Sequence, residues 1–200
     1  MRETAPRVKL PAELRWHGRG GQGVVTASRL LATAGLAAGL YPQSLPDFGA
    51  ERSGAPIVAY TRFENRPAML RGPVSAPAAV AVLDETLIGS VPLLEGIVDG
   101  GVLVVNTRRS PESVGEQLDA AGVVICTVDG DGISIRLLGR PLPNSPLLGA
   151  LVRVFPIVEI DALRTSVREQ MQAVFSEKVV EGNLAALSEG YEVCRVGEVR

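Results

Sequence analysis

The sequence predicts one α/β domain with a mainly parallel sheet, flanking helices and a helical extension at its C-terminal end. Three features predict this class: a strand, glycine loop and helix in succession near the N-terminus, two long apolar runs in the middle, and amphipathic patterns towards the end. The 200 residues, of which 46% are hydrophobic, can form one substantial core. We expect a tail over residues 1–12 and a single domain over residues 13–200.

The first predicted unit joins a strand to a helix through a glycine-rich loop. Residues 13–18 have the pattern of a short strand, which the glycines of residues 18–23 interrupt. Over residues 24–40, apolar and small side chains recur at helical spacing, and the alanines would let this helix pack closely on a sheet. This order is the first half of a βαβ unit, and it favours a Rossmann-like sheet.

The next segments predict a loop and two strands. Residues 45–56 contain two prolines and two glycines among polar residues, which is typical of a loop. Residues 57–63 are rich in β-branched and aromatic side chains and predict a strand. A turn over residues 65–67 then leads into a short second strand over residues 68–71.

The middle of the chain alternates strands with helices. Residues 79–83 and 101–105 are nearly uninterrupted apolar runs, the pattern of strands that are buried on both faces. A mostly apolar helix is predicted between them, over residues 91–98. This alternation favours a parallel sheet, in which ligands usually bind at the carboxyl ends of the strands.

The remaining sequence predicts one more helix and strand, a hairpin turn and three C-terminal helices. Ser110 and Pro111 indicate a helix start, because Ser caps helices and Pro suits the first turn. That helix would end near residue 121 and lead to a strand over residues 123–128. Residues 129–132, with two Asp and two Gly, have the composition of a hairpin turn. Further helices are predicted over residues 144–152, 161–174 and 177–190.

Charge and hydropathy argue against two classes of partner. The formal charge of −2, from 20 basic and 22 acidic residues, offers no basic patch for nucleic acid or anionic lipid. The most apolar stretch, residues 24–40, is shorter than the roughly 20 residues that a membrane span requires and contains Arg29. The charged first residues are followed by no apolar signal segment, so a cytoplasmic location is expected.

The cysteines argue against a metal centre carried by this chain. Cys126 and Cys194 lie far apart in the sequence and form no Cys-x-x-Cys pair. Neither an iron–sulfur cluster nor a structural zinc site can be built from these two thiols alone. Any electron carrier is therefore expected on another subunit.

The glycine loop is the candidate binding site. Gly18, Gly20 and Gly23 follow the G-x-G-x-x-G spacing directly after a strand and before a helix. Glycine permits a tight turn and leaves the backbone N–H groups at the helix start open to a phosphate. Two interpretations remain: a loop that binds phosphate or pyrophosphate, and a tight turn with a structural role only.

A dinucleotide site would need a further group. An acidic residue about 20 positions after the loop, at the end of the second strand, usually holds the ribose hydroxyls. The nearest acid here is Asp47, which follows Pro46 in a predicted loop. A free-standing oxidoreductase that uses residues 18–23 for NAD or a flavin is therefore the alternative hypothesis rather than the first.

Other polar residues have two interpretations each. Arg19, Arg52, Arg108 and Arg109 all fall in predicted loops and are candidate anion contacts, or else surface charges and subunit salt bridges. The one histidine, His17, lies at a strand end beside the glycine loop. A structural or ligand-orienting role suits it better than catalysis, because no Ser–His–Asp arrangement can be argued.

Five segments, in order, resemble one family. Gly18-Arg19-Gly20-Gly21-Gln22-Gly23 resembles the opening motif of the gamma subunit of pyruvate:ferredoxin oxidoreductase and related 2-oxoacid oxidoreductases. Residues 48–54 are similar to the loop before the third strand of that family, although Arg52-Ser53-Gly54 stands where the family often has Arg-Gly-Gly. The other similar segments are residues 100–106, 144–150 and 183–191.

The resemblance implies a subunit of a larger enzyme that has no activity alone. Such a complex oxidatively decarboxylates a 2-oxo acid on thiamine diphosphate and Mg, passes electrons through 4Fe-4S clusters and releases acyl-coenzyme A and CO2. Those cofactors would lie on thiamine-binding alpha and beta subunits and on a ferredoxin-like subunit or domain, with none bound tightly here. Pyruvate is the default substrate, and phenylglyoxylate, indolepyruvate, 2-oxoglutarate or branched-chain 2-oxo acids are alternatives.

The same resemblance implies a place for coenzyme A on this chain. In the family, the gamma domain contacts the thiamine-binding parts and is associated with the coenzyme A step. The expected ligand-facing residues are Gly18, Arg19, Gly20, Gly21, Gln22 and Gly23, with Thr26 in the first helical turn and Arg52 in the polar loop. No catalytic residue and no metal ligand is expected in this chain.

Overall fold

A computed structural model describes residues 8–47, 55–67 and 72–198. Within these residues, seven strands and six helices follow one another along the chain, with a short 3-10 helix at Glu85–Leu87. The strands are β1 Ala12–Arg19, β2 Tyr41–Asp47, β3 Pro56–Glu64, β4 Ala79–Val82, β5 Val102–Asn106, β6 Val124–Val128 and β7 Arg195–Glu198. The helices are α1 Val24–Ala37, α2 Pro111–Leu118, α3 Gly130–Leu138, α4 Asn144–Val154, α5 Ile160–Gln172 and α6 Glu177–Val193.

All seven strands form one sheet in the order β2-β3-β1-β4-β5-β6-β7. The central strands β1, β4, β5 and β6 are parallel to one another. β3 is antiparallel to both β1 and β2, and β7 is antiparallel to β6, so only β3 and β7 oppose the common direction. The predicted α/β class with a mainly parallel sheet is confirmed.

The alternation of side chains along β4 shows how the sheet divides the core. Ala79 and Ala81 belong to one buried cluster, which includes side chains of α1, α4, α5 and α6. Val80 and Val82 belong to a second buried cluster, which includes Val114 of α2. Because successive side chains of a strand point to opposite faces, the four longer helices lie on one face and α2 on the other.

Residues 91–98 form turns rather than the predicted helix. Pro92 and Gly96 interrupt the segment, and Gly96 has a φ of 69°, which is outside the helical region. The guanidinium of Arg15 donates hydrogen bonds to the carbonyl oxygens of Leu93, at 2.9 Å, and Glu95, at 2.8 Å. The apolar side chains that suggested a helix still reach the core, since Leu93 is fully buried.

The predicted hairpin turn at residues 129–132 is also wrong, because α3 begins there. Asp129 is the N-cap of α3, and its carboxylate accepts a hydrogen bond of 2.9 Å from the backbone N–H of Gly132. A Cβ at Gly132 would collide with that carboxylate, so the two residues fit together as a helix cap. Asp and Gly serve caps as well as turns, which is why composition alone did not decide between them.

Two edge strands were not predicted. β2 occupies part of the predicted loop, and its two prolines are tolerated because an edge strand leaves one side of its backbone unpaired. β7 is only four residues long and follows directly on α6. The predicted strand over residues 68–71 lies outside the described residues, as do residues 48–54. The other predicted elements are confirmed, with ends that differ by a few residues.

Candidate functional site

The carboxyl ends of β1, β4, β5 and β6 meet at one edge of the sheet and border a cleft of about 700 Å³. Parallel strands bring their carboxyl ends together, so loops that are distant in sequence share this edge. The cleft is lined by Gln22, Leu83, Asp84, Glu85, Thr86, Asn106, Thr107, Arg108, Arg109, Asp129 and Asp131. Gln22 is the residue through which the glycine loop contributes to the cleft.

Glycine is favoured at three positions of the loop, each for a different physical reason. At Gly18 a Cβ would lie 2.5 Å from Cγ2 of Val24, so the packing of β1 on α1 excludes a side chain. At Gly23, φ is 85° and a Cβ would lie 2.8 Å from Cγ of Asn144. At Gly21, φ is 94° and a Cβ would meet nothing within 4 Å. Gly18 and Gly23 therefore close the base of the loop, while Gly21 lies on its open side together with the exposed Gly20.

The side chain of Gln22 holds the loop to the end of β4. Its Oε1 accepts a 2.7 Å hydrogen bond from the backbone N–H of Arg19, and its Nε2 donates a 2.8 Å bond to Oδ2 of Asp84. The guanidinium of Arg19 lies 3.3 Å from the same carboxylate oxygen and donates to Oγ1 of Thr86. These contacts attach the glycine loop to the end of β4 and to the short 3-10 helix that follows it.

The Asp84 carboxylate is ionised in this arrangement. Burial acts to raise its pKa, but hydrogen bonds from Thr86 and Gln22 and the positive charge of Arg19 outweigh burial. The pKa of Asp84 is consequently below its ordinary value. A negative charge stays next to Arg19 at neutral pH, and it limits how strongly Arg19 attracts an anion.

The start of α1 faces the loop without a side-chain cap. Gly23 occupies the N-cap position, and the first turn contains no acidic residue. Thr26 lies in that turn and is exposed. The first N–H groups of a helix have no partner within the helix and carry a partial positive charge. This end of α1 is suited to an anionic group that approaches over Gly20 and Gly21.

Asn144 is a site candidate whose role was not predicted from the sequence. It begins α4, is 8% exposed, and its side chain lies against Gly23. Its Oδ1 is buried and has no hydrogen-bond partner among the described residues. A buried acceptor without a partner costs about 1–3 kcal/mol, so a donor from outside this part of the chain is expected. The sequence signals for this position were an Asn after a proline at a predicted helix start and the similarity of residues 144–150 to a family segment.

Arg108 and Arg109 are held by neighbours within the chain. Nε of Arg108 donates to Oδ2 of Asp129 at 2.9 Å, and Nη2 of Arg109 donates to the carbonyl oxygen of Ser113 at 2.7 Å. Nη2 of Arg195 donates to the carbonyl oxygens of both arginines, at 2.6 and 2.7 Å. These contacts favour the structural interpretation of Arg108 and Arg109 over that of ligand contacts.

His17 is a structural residue of β1. It is buried, and its Nε2 accepts a 3.0 Å hydrogen bond from Nε of Arg15. Burial and the neighbouring Arg15 charge lower the pKa of His17 from 6.5 to about 4. The imidazole is therefore neutral at pH 7 and orients the guanidinium that holds Leu93 and Glu95.

The free energy of unfolding is expected to fall as the pH is lowered from about 6.5 to about 4. His17 keeps a pKa near 4 in the folded chain and regains 6.5 when unfolded, so only the unfolded chain takes up a proton in this window. Urea unfolding at several pH values measures the effect. In His17→Gln the amide oxygen can still accept from Arg15, and this part of the pH dependence should vanish. An equal pH slope in both proteins would contradict the assignment.

The strand order separates Asp47 from the glycine loop. Asp47 is the last residue of β2 rather than part of a loop, and β2 ends at the same edge of the sheet as β1. However, β3 lies between β2 and β1, so the two strands are about 10 Å apart instead of adjacent. The usual ribose-binding position beside the first strand is therefore taken by β3.

The structure brings most of the predicted site residues together. Residues 18–23 run from the last two residues of β1, through a tight turn that begins at Gly20, to the N-cap of α1 at Gly23. Thr26 follows in the first turn of that helix. Arg52 lies outside the described residues. Across the described ranges, no group of three or more His, Cys, Asp or Glu side chains could hold a metal ion. No described helix is both long and apolar enough to cross a membrane.

Comparison with known proteins identifies relatives of this chain. Residues 13–193 match the family model for pyruvate ferredoxin/flavodoxin oxidoreductase. The chain is 41% identical over 193 residues to the pyruvate synthase subunit PorC of Thermotoga maritima, which covers 96% of this chain and 100% of the relative. It is 39% identical over 187 residues to the pyruvate/ketoisovalerate oxidoreductases common subunit gamma of Pyrococcus furiosus, with coverage of 94% and 99%.

Solved structures show the same architecture. The crystal structure of pyruvate oxidoreductase subunit PORC from Thermotoga maritima has a TM-score of 0.83 and 39% identity, and the match covers 95% of this chain and 100% of that one. A 2-oxoglutarate:ferredoxin oxidoreductase from Magnetococcus marinus, with 2-oxoglutarate, coenzyme A and succinyl-CoA bound, has a TM-score of 0.71 at 20% identity, over 92% of this chain and 31% of that one. That second likeness shows a shared fold alone. From the family model and the closely similar relatives, the chain belongs to the pyruvate ferredoxin/flavodoxin oxidoreductase family and is a gamma-type subunit of a 2-oxoacid oxidoreductase complex.

Proposed function

We propose that this subunit supplies part of the coenzyme A site and assembly contacts in a complex that oxidatively decarboxylates a 2-oxo acid. The observation that carries the proposal is the glycine loop, which is rigidly held at its base and open over Gly20 and Gly21. Coenzyme A carries phosphates, which suit the backbone N–H groups at the start of α1. Its pantetheine arm carries amide N–H groups, and these are donors of the kind that Oδ1 of Asn144 lacks.

Arg52 is part of the same proposal. It belongs to the polar, glycine-flanked segment of residues 48–54, which precedes β3 in the chain. A guanidinium offers a planar fork of donors for phosphate or carboxylate. We assign Arg52 to the coenzyme or to the contact with the thiamine-binding subunits.

The cofactors of the reaction are proposed to lie on partner subunits. A 4Fe-4S cluster takes four cysteine ligands, and the sequence has two cysteines in all. Thiamine diphosphate with Mg would belong to the alpha and beta subunits, and the clusters to a ferredoxin-like subunit or domain. The role of this chain is then to bind and orient the acyl acceptor beside a reaction centre formed by other chains.

Pyruvate is the proposed default substrate, since several relatives are pyruvate synthase subunits. The Pyrococcus furiosus relative is named as a subunit common to pyruvate and ketoisovalerate oxidoreductases. A gamma subunit that serves two enzymes cannot by itself select the 2-oxo acid, which favours a selecting pocket on other chains. Activity assays of the purified complex with pyruvate, 2-oxoglutarate, branched-chain 2-oxo acids, indolepyruvate and phenylglyoxylate would identify the substrate.

In the assembled complex, Gly20→Val is expected to raise the KM for coenzyme A about fivefold, because a branched side chain blocks one phosphate contact worth about 1 kcal/mol. Gly20 is exposed, so the substitution is expected to leave the fold and the subunit stoichiometry intact. The KM for the 2-oxo acid serves as the internal control. An intact complex with an unchanged KM for coenzyme A would favour a loop with a structural role only.

The alternative is a free-standing oxidoreductase that binds NAD or a flavin at the glycine loop. The position of Asp47, two strands away from β1, disfavours it. Titration of the isolated chain with NAD and FAD, followed by calorimetry, separates the two hypotheses. Tight binding of either cofactor would overturn the gamma-subunit role of the loop.

A further inference from the structure

The fold brings the two cysteines of the chain into contact. Cys126 is a buried residue of β6, and Cys194 is a half-buried residue between the end of α6 and the start of β7. In sequence they are far apart, and the sequence gives no reason to pair them. Nothing in the proposed coenzyme A function uses either thiol.

The register of β6 and β7 explains the contact. Cys126 is paired with Val196, and Thr127 with Arg195. Because side chains alternate along a strand, residues 194 and 196 share a face, which is also the face of Cys126. Cys194 packs against the buried cluster that contains Cys126, and its thiol donates a 3.6 Å hydrogen bond to the carbonyl oxygen of Tyr191. The sulfur of Cys126 lies close enough for each thiol to shift the pKa of the other.

The surroundings make the two thiols unequal. A hydrogen bond from Cys126 and the charge of Arg153 lower the pKa of Cys194 despite its partial burial. The hydrogen bond to Cys194 and burial raise the pKa of Cys126. Arg153 is held 5.1 Å above the ring of Tyr191 by a cation–π contact, so its charge has a fixed position. Cys194 is thus the accessible nucleophile, and Cys126 the buried partner.

We propose that Cys194 and Cys126 are an oxidative modification site that a peroxide converts into an intramolecular disulfide. In the first step the Cys194 thiolate attacks a peroxide oxygen, the O–O bond breaks, and a sulfenic acid and hydroxide form. In the second step the sulfur of Cys126 attacks the sulfur of Cys194, and the departing hydroxide takes up the Cys126 proton and leaves as water. Two thiols and one hydrogen peroxide give one disulfide and two waters.

The disulfide would close β7 onto the body of the sheet. β7 is a four-residue edge strand, and Arg195, its first residue, donates to the carbonyl oxygens of Arg108 and Arg109 at the cleft. A covalent bond at residue 194 would therefore restrict the movement of β7, whose Arg195 contacts the backbone of two cleft residues, Arg108 and Arg109. The inference stands apart from the proposed binding of coenzyme A, because it depends only on the β6–β7 contact.

The test uses the full chain treated with hydrogen peroxide under native conditions. Remaining thiols are alkylated in denaturant, and the products are identified by intact mass and by peptide mapping. The expected product is a monomer that has lost two hydrogen atoms and both alkylation sites, with the peptides of residues 126 and 194 linked. Recovery of both alkylated cysteines, or a link found only between two chains, would overturn the proposal.

Two variants distinguish the roles of the thiols. Cys126→Ala should still form a sulfenic acid at Cys194, which a dimedone probe traps, but no internal link. Cys194→Ala should leave Cys126 unmodified by peroxide and open to alkylation only after unfolding. If Cys126 reacted first in the native chain, the assigned order of attack would be wrong. Should a variant fail to fold, the peptide map of the parent chain still decides the pairing.

Discussion

Gly190→Ala is expected to lower the free energy of unfolding by about 3 kcal/mol or more. A Cβ at Gly190 of α6 would lie far inside van der Waals contact with the carbonyl oxygen of Pro146 in α4. The reverse contact is as close, because a Cβ at Gly149 of α4 would collide with the carbonyl oxygen of Leu187. Both obstacles are backbone atoms, so the helices must separate to admit a methyl group.

The matched control for this prediction is Gly182→Ala, which also lies in α6. There a Cβ would lie 2.7 Å from Cδ2 of Leu138, the end of a flexible side chain that can move aside. Alanine also favours a helix over glycine by about 1 kcal/mol, so the net change is expected to stay within about 1 kcal/mol. Urea unfolding followed by circular dichroism compares both variants with the parent chain. Equal losses for Gly190→Ala and Gly182→Ala would show that the close approach of α4 and α6 is not what stabilises this pair.

The elements that were predicted correctly from the sequence are those in which one pattern of apolar residues dominates. The continuous, Val-rich apolar runs of β4 and β5 are typical of buried strands, and the apolar periodicity of α1 indicates a helix that packs on a sheet. Residues 91–98 carried an apolar signal too, but the carbonyl groups there are hydrogen-bonded by Arg15, which is distant in sequence. Local patterns contain no information about such a partner.

The strand order is the second feature that local patterns do not determine. β2 and β3 pair as neighbours, and β3 rather than β2 lies beside β1. In a simple βαβ unit the second strand would take that place and bring its last residue close to the glycine loop. The difference moves Asp47 away from the loop. The prediction that Asp47 lies in a loop was wrong, because Asp47 is the last residue of β2.

The sequence predicted the glycine loop of the candidate site, and the structure added residues that are distant in sequence. Residues 18–23 form a motif that can be recognised from contiguous sequence, because the glycines of a tight turn and a helix start are close together in the chain. Asp84 and Asn144 reach the same loop from β4 and α4, through contacts with Gln22 and Gly23. Their roles follow from one hydrogen bond and one missing hydrogen bond, which no spacing rule supplies.

Asn144→Ala is expected to raise the KM for coenzyme A in the assembled complex about fivefold to hundredfold, which corresponds to the roughly 1–3 kcal/mol of leaving a buried amide N–H without its acceptor. The same substitution is expected to change the free energy of unfolding of the chain by less than about 1 kcal/mol. Truncation loses some packing against Gly23, but it also removes an acceptor that is buried without a partner. If Asn144 stabilised only the fold, its substitution would lower the free energy of unfolding and leave the KM for coenzyme A unchanged.

Thr127→Val is the control for Asn144→Ala, because it removes another buried acceptor that is distant from the proposed coenzyme A site. Oγ1 of Thr127 is the other side-chain atom found buried without a partner among the described residues. Thr127 alternates with Cys126 along β6, so its side chain lies on the face opposite to α4 and Asn144. Its replacement by a valine of similar shape should raise stability slightly and leave the KM for coenzyme A unchanged. If Asn144→Ala behaved in the same way, Asn144 would be a tolerated defect of the core, and the coenzyme would be held by the glycine loop without it.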